Sequence, residues 1–176
     1  MDAFAPNRKP LSGTGFDERP IPAAIIKLAE HANAEEVSFD FRAVMAPPGE
    51  NVITCHPPSA GITLGQLIDA SPQMAVKVSA SVVLSNEKSR EVDFGLVVTD
   101  GAARALDILR GVVEPEPNEG FSGWMQVNNR QSKRLSAFRE SGSTARNVYI
   151  ATRMSKAGDN SFAWAQFKDF TYMVRR

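Results

Sequence analysis

Residues 76–99 read VKVSASVVL, then SNEKSRE, then VDFGLVVT. Val76, Val78, Ala80, Val82 and Leu84 occupy one side of a strict alternation, with Lys77, Ser79, Ser81 and Ser85 on the other. The pattern resumes with Val92, Phe94, Leu96 and Val98 on one face, and Asp93, Gly95 and Thr99 among those opposite. Successive strand side chains point to opposite sheet faces, so this period predicts two strands with one face buried and one in water. A short polar link between two such runs predicts an antiparallel hairpin.

Working outward, Val37–Arg42, Val52–Cys55, Trp124–Val127, Arg134–Arg139, Val148–Arg153 and Phe162–Val174 also read as strands, and 62–68 fits either a strand or a helical turn. Composition allows a short helix over Ala102–Arg110, but a strand over Leu106–Val113 is expected, because Leu106, Ile108 and Val112 share a parity and the neighbouring segments are β. The last strand is expected to carry a bulge. Phe162 and Trp164 share one parity, Phe167 breaks it, and Phe170, Tyr172 and Val174 resume it. Roughly eight to ten short strands separated by turn residues predict a mainly β fold, an antiparallel β-sandwich of jelly-roll type.

Toward the N-terminus, residues 1–20 hold Pro6, Pro10, Gly13, Gly15 and Pro20 and read as an extended arm without its own core, suited to docking on a neighbouring subunit. Residues 21–176 then form one domain. A helix is expected over 22–33, since Ile21, Ile25, Leu28, Ala29 and Ala32 share a helical face and Pro22 suits its first turn.

The 176 residues carry 20 basic and 20 acidic side chains. This balance provides no global field for nucleic acid, and none is expected as a partner. Arg130, Lys133, Arg134 and Arg139 cluster in sequence and are read as a solvated strand face. No run approaches the ~18 apolar residues of a membrane span. The start, MDAFAPNRKP, has no apolar core of a signal peptide, so cytoplasmic synthesis is expected. Incorporation into a particle, or export by a route that leaves no N-terminal mark, remains compatible with it.

No motif for catalysis stands out, and a non-enzymatic protein is expected. Cys55 and His56 are adjacent, but neighbouring strand side chains face opposite ways and cannot form a dyad. Cys55, the single cysteine, is expected to be a buried, unreactive thiol. Two histidines and one cysteine do not make a structural zinc site. Loop acids at Asp100, Glu114, Glu116, Glu119 and Asp159 leave a calcium site open, without EF-hand spacing. No dinucleotide or phosphate-loop motif appears, and no cofactor is expected.

The strongest binding candidate is Gly120-Phe121-Ser122-Gly123-Trp124 followed by Asn128, Asn129 and Arg130. An indole beside planar amides and a guanidinium suits a sugar, whose C–H face stacks while its hydroxyls are hydrogen-bonded. Trp124, Asn128 and Arg130 are therefore the expected carbohydrate-binding residues. The competing reading makes Trp124 a core residue. Trp164, between two alanines, is expected in the core.

The succession CHPP (55–58), GIT (61–63), VKVSASV (76–82), VDFGL (92–96), FSGW (121–124), VYIATR (148–153) and SFAWAQF (161–167) resembles an uncharacterised β-sandwich domain of alphaproteobacterial proteins. That domain occurs alongside glycosyltransferase and surface-polysaccharide modules. The resemblance spans about 37–170 and implies the fold; it supplies no site residues. Two functions are consistent with these readings. One is a module that recognises carbohydrate or a glycosylated surface. The other is a structural subunit of a virion or similar assembly, self-associating through residues 1–20.

Overall fold

The computed structural model describes residues 16–21, 26–29, 44–45, 52–68 and 71–175. The expected strand at 37–42, His31, and arm residues 1–15 lie outside the described residues, as do 22–25 and 30–33 of the expected helix.

Among the described residues, twelve strands form two antiparallel sheets. In the first, β10 (Ser132–Phe138), β6 (Lys77–Leu84), β12 (Ala165–Arg175), β4 (Val52–Cys55) and β3 (Val44–Met45) follow in that order, with β1 (Phe16–Pro20) also on β12. In the second, β2 (Ile26–Ala29), β5 (Thr63–Leu67), β11 (Asn147–Met154), β7 (Val92–Thr99) and β8 (Gly120–Phe121) follow, with β9 (Met125–Val127) also on β7. Consecutive strands lie in different sheets at every step except β3 to β4 and β7 through β9. The fold is thus the expected antiparallel β-sandwich.

Residues 76–99 form the two expected strands, but not a hairpin. β6 and β7 lie in different sheets, so Ser85–Glu91 bridges the sandwich instead of turning within one sheet. Their apolar faces meet across the core, where Val78, Ala80, Val82 and Leu84 share one cluster with Val92, Phe94, Leu96 and Val98. Phe94 reaches Phe167 of β12 edge to face, at 5.3 Å and 69°. Side-by-side and face-to-face strands bury the same alternating residues, which is why periodicity could not separate the two arrangements.

The second correction is the other face of β7. It is not in water: all eight of its residues are buried. An α-helix, α1 (Ala102–Leu109), lies over it where a strand had been expected from Leu106. Alanine and leucine favour the helix, and Gly111 at φ +72° ends it in a conformation that suits glycine. Its Ala105, Leu106, Ile108 and Leu109 pack on Ile62, Leu64, Val97, Tyr149 and Ala151 as a second apolar cluster. It is the α-helix of the described residues, beside a short 3-10 turn at Ser71–Met74. Within the stretch expected to be helical, Ile26–Ala29 is strand β2, paired with Leu67 through Leu64. The apolar spacing there is too short to fix the period, and the open edge of β5 supplies the hydrogen bonds.

Phe16–Pro20 is extended, as expected, but it pairs with Arg175 through Thr171 of this same chain. The bulge of β12 falls between Lys168 and Thr171, with Asp169 at φ +53°. The parity before it is the reverse of the expectation. Ala163, Ala165 and Phe167 point inward, so Trp164 is exposed and not core. Arg139 is likewise not on a solvated face. It is buried, and its guanidinium donates to the carbonyls of Ala75 at 2.7 Å, Thr144 at 2.7 Å and Gln73 at 2.8 Å. Lys133 donates to the Gln126 carbonyl and Arg134 to Ser81, Thr171 and the Asp169 carbonyl, so the basic run serves the sheet framework.

Candidate functional site

The registers Thr63↔Thr152, Val92↔Met154, Val92↔Val127, Leu84↔Ala165 and Val83↔Ser132 place one set of strand ends together. Loops 56–62, 85–91, 128–131 and 155–164 therefore converge at one end of the sandwich. Loops on a rigid sheet scaffold can carry recognition without disturbing the core.

Two aromatic rings stand out of this end. Trp164 is 51% exposed and Phe162 41%, with centroids 6.5 Å apart and planes tilted by 54°. Their loop is held by its own hydrogen bonds. Asn160 donates to the Pro57 carbonyl at 2.9 Å, the Ser161 N–H to Asp159 at 2.9 Å, and the Ala163 N–H to the Asn160 carbonyl at 3.1 Å. The Trp164 carbonyl accepts from both the N–H and the hydroxyl of Ser85. Phe162 adopts φ +64°, a left-handed conformation that is rare for a bulky residue and costs about 1–3 kcal/mol. The loop thus holds a large apolar ring in solvent by way of a strained backbone.

Beside Phe162 lies an open recess of about 320 Å³, lined also by Ser85, Asn86, Glu87, Lys88 and Arg130. The Lys88 ammonium sits 5.3 Å from the Phe162 centroid. Arg130, itself at φ +61°, ion-pairs with Glu87, and the Asn129 amide donates to the Glu87 carbonyl at 2.6 Å. A second recess of similar size follows, with Asn128, Asn129, Ser89, Arg90 and Glu91.

Two of the three expected site residues are therefore at this end, but without the expected tryptophan. Arg130 lines the recess of Phe162, and Asn128 the one next to it. Trp124 instead lies on the outer face of the second sheet, half-buried. Its indole N–H donates to the Leu109 carbonyl at 2.9 Å, Phe121 meets it edge to face at 6.3 Å, and the Arg153 guanidinium covers it at 4.2 Å. A ring so covered offers no open stacking face. The signal that could have found Trp164 is the alternation Ala163-Trp164-Ala165: the small residues keep the inward parity and leave the indole outward.

Titratable groups elsewhere serve structure. Cys55 is fully buried; burial pushes its thiol up to about 12, against a hydrogen bond with Thr152, whose Oγ1 is 3.4 Å from Sγ. Burial also lowers the His56 pKa, opposed by a backbone hydrogen bond with Ala163. Burial would raise the Glu119 pKa, but hydrogen bonds from Arg104, Thr99 and the Glu116 N–H overcome it and hold the carboxyl at about 2. Asp100 pairs with Arg146. Among the described residues, no three His, Cys, Asp or Glu side chains converge as metal ligands. No described helix is long and apolar enough to cross a membrane.

Fold and site together define an antiparallel β-sandwich module with an aromatic and polar platform on its loop end. Within that class, the chain belongs to a family of unknown function, DUF6212, whose model matches residues 2–153. No curated protein matches it. Among solved structures it is similar to TmCBM61 in complex with beta-1,4-galactotriose, with TM-score 0.43 and 16% identity over 93% of each chain. It is also similar to CBM29_1, a Family 29 Carbohydrate Binding Module from Piromyces equi, with TM-score 0.40 and 14% identity over 90% of this chain and 91% of that one. A Family 11 Carbohydrate-Binding Module from Clostridium thermocellum, in complex with a beta-1,3-1,4-mixed-linked tetrasaccharide, gives TM-score 0.37 and 6% identity over 92% and 89%. At this distance no residue of those modules is carried over.

Proposed function

We propose that this protein is a non-enzymatic glycan-binding module whose loop-end platform takes a sugar chain. The observation that carries the reading is the pair of exposed rings, Phe162 and Trp164, beside a recess lined with amide, carboxylate, ammonium and guanidinium groups. Exposed aromatic surface rimmed by polar groups is a common mark of an interaction site. Rings supply stacking area for sugar C–H faces, and planar polar groups read hydroxyls. The rings are held by a strained, hydrogen-bonded loop, so little order is lost on binding.

Titration with neutral oligosaccharides, beginning with beta-1,4-galactotriose and a beta-1,3-1,4-mixed-linked tetrasaccharide, tests this reading. Tryptophan fluorescence and the Trp164 indole signal in NMR should respond to at least one of them. Trp164→Ala should weaken that binding at least about tenfold, a loss of ~1.4 kcal/mol. Binding untouched by both Trp164→Ala and Phe162→Ala would place the glycan elsewhere or remove it from the reading.

A further inference from the structure

A separate cleft lies beyond the Trp124 side of the same end. It encloses about 320 Å³, with Ala60, Ile62 and Ala157 among its walls and Arg110 and Arg153 as its cations. We infer that it is a second binding site, for the carboxylate of an acidic sugar.

Arg153 is prepared for such a role. It stands on β11 opposite Asp93 of β7. Its Nε–H donates to Asp93 Oδ2 at 2.9 Å, and Asp93 Oδ1 accepts from the Ser155 hydroxyl at 2.6 Å. Asp93 is buried while the Arg153 side chain remains partly exposed, so the carboxylate anchors the guanidinium from within and leaves its outer edge accessible. The Trp124 ring supports the guanidinium plane at 4.2 Å. Its two contacts, with Asp93 and with the Trp124 ring, thus fix its orientation, and only one of its five N–H donors is used on Asp93, which Ser155 holds in turn. The planar fork that remains matches the two oxygens of a carboxylate.

Arg110 approaches from the end of α1, where the helix carbonyls favour a cation. Asp93 already neutralises one of the two arginines, so the cleft carries one net positive charge, which matches a monoanion better than a doubly charged phosphate. The apolar walls suit the C–H face of a compact ring, and the volume falls at the small end of ligand sites, which start at roughly 300 Å³. The carboxylate preference stands on the arginines; the sugar as its carrier rests on the glycan reading above.

The chain has two tryptophans, one at each site, which makes the sites separately observable. In an NMR titration of the full chain, glucuronate should move the Trp124 indole N–H signal and leave that of Trp164 in place. Glucose and inorganic phosphate should each move Trp124 at least about tenfold more weakly. Arg110→Gln should weaken the glucuronate response by a similar factor; so should Ala157→Leu, which fills the cleft without touching its charges. Both positions are exposed, so both variants should fold. No response of Trp124 to glucuronate, or one unchanged in both variants, overturns the site. An equal response to phosphate overturns the sugar-acid assignment, because the walls would then select nothing. A Trp124 response without any Trp164 response to neutral oligosaccharides would sustain this cleft while removing the platform reading.

Discussion

The outer faces of the two sheets have opposite surroundings. On the second sheet, Val97, Tyr149 and Ala151 are buried beneath α1, with Trp124 and Phe121 packed against the same cluster. On the first sheet, Ser81 and Val83 of β6 are half-buried, Arg134 bonds Ser81 and Thr171 across the strands, and Trp164 stands in solvent. Both faces carry alternating strands. One became a second core because the chain returns over it as a helix; the other keeps half-buried and exposed side chains among the described residues. Apolar area is stabilising only where something covers it.

The largest test of that contrast is Tyr149→Ala. Tyr149 is 2% exposed under the helix, and emptying its site should cost about 3–5 kcal/mol in denaturant unfolding. Val83→Ala on the open face should cost under ~1 kcal/mol. Similar losses would mean that α1 does not seal the second sheet. Phe94→Ala, in the inner core, should match Tyr149→Ala, which would show that the two cores are of equal depth.

Next is the acid response of the loop that flanks α1. Glu119 is held at about 2 against an ordinary 4.5. A carboxyl with a depressed folded pKa stabilises above its unfolded pKa, and that contribution is lost as pH falls through the folded one. Stability should therefore decline between pH 4.5 and about 2, by on the order of 3 kcal/mol from this group. Glu119→Gln should be less stable at pH 7 and should flatten the decline, as followed by chemical unfolding across that range. A decline of unchanged size would assign it to other carboxylates.

The two indoles give the smallest and sharpest comparison. Trp124→Ala should destabilise by about 2 kcal/mol, since it removes a half-buried ring and leaves the Leu109 carbonyl without its donor. Trp164→Ala should shift stability by under ~0.5 kcal/mol. Thermal melts of the pair decide it. A reversed order would make Trp164 the structural tryptophan and count against the proposed site.

Much of the fold was legible from alternation. Most of the described strands were visible as runs of period two, because burying one face of a sheet imposes that period whatever the partner. The turn at Asp100-Gly101 and the proline-rich loop at 114–119 were equally plain, since these residues resist regular structure. The bulge was visible as a change of parity around Phe167, although the sides assigned to Phe162, Trp164 and Phe167, which precede it, were reversed. What alternation cannot carry is the identity of the neighbour. Face-to-face and edge-to-edge partners leave the same trace, so the hairpin at 76–99 became a crossing between sheets.

The candidate site shows the same division. Arg130 and Asn128 were picked out because polar planar residues collect in turns, and both line recesses at the loop end. Their aromatic companion was not found. Phe162 and Trp164 lie more than thirty residues away along the chain and arrive only when the loops of different strands meet at one end of the sandwich. The sequence by itself determined strands, turns and a balanced charge, all set by local preference and by the need to bury alternate residues. Tertiary structure alone decided which faces are covered and which tryptophan is open. It also decided which loops share an end, since each depends on contacts between residues that no local pattern links.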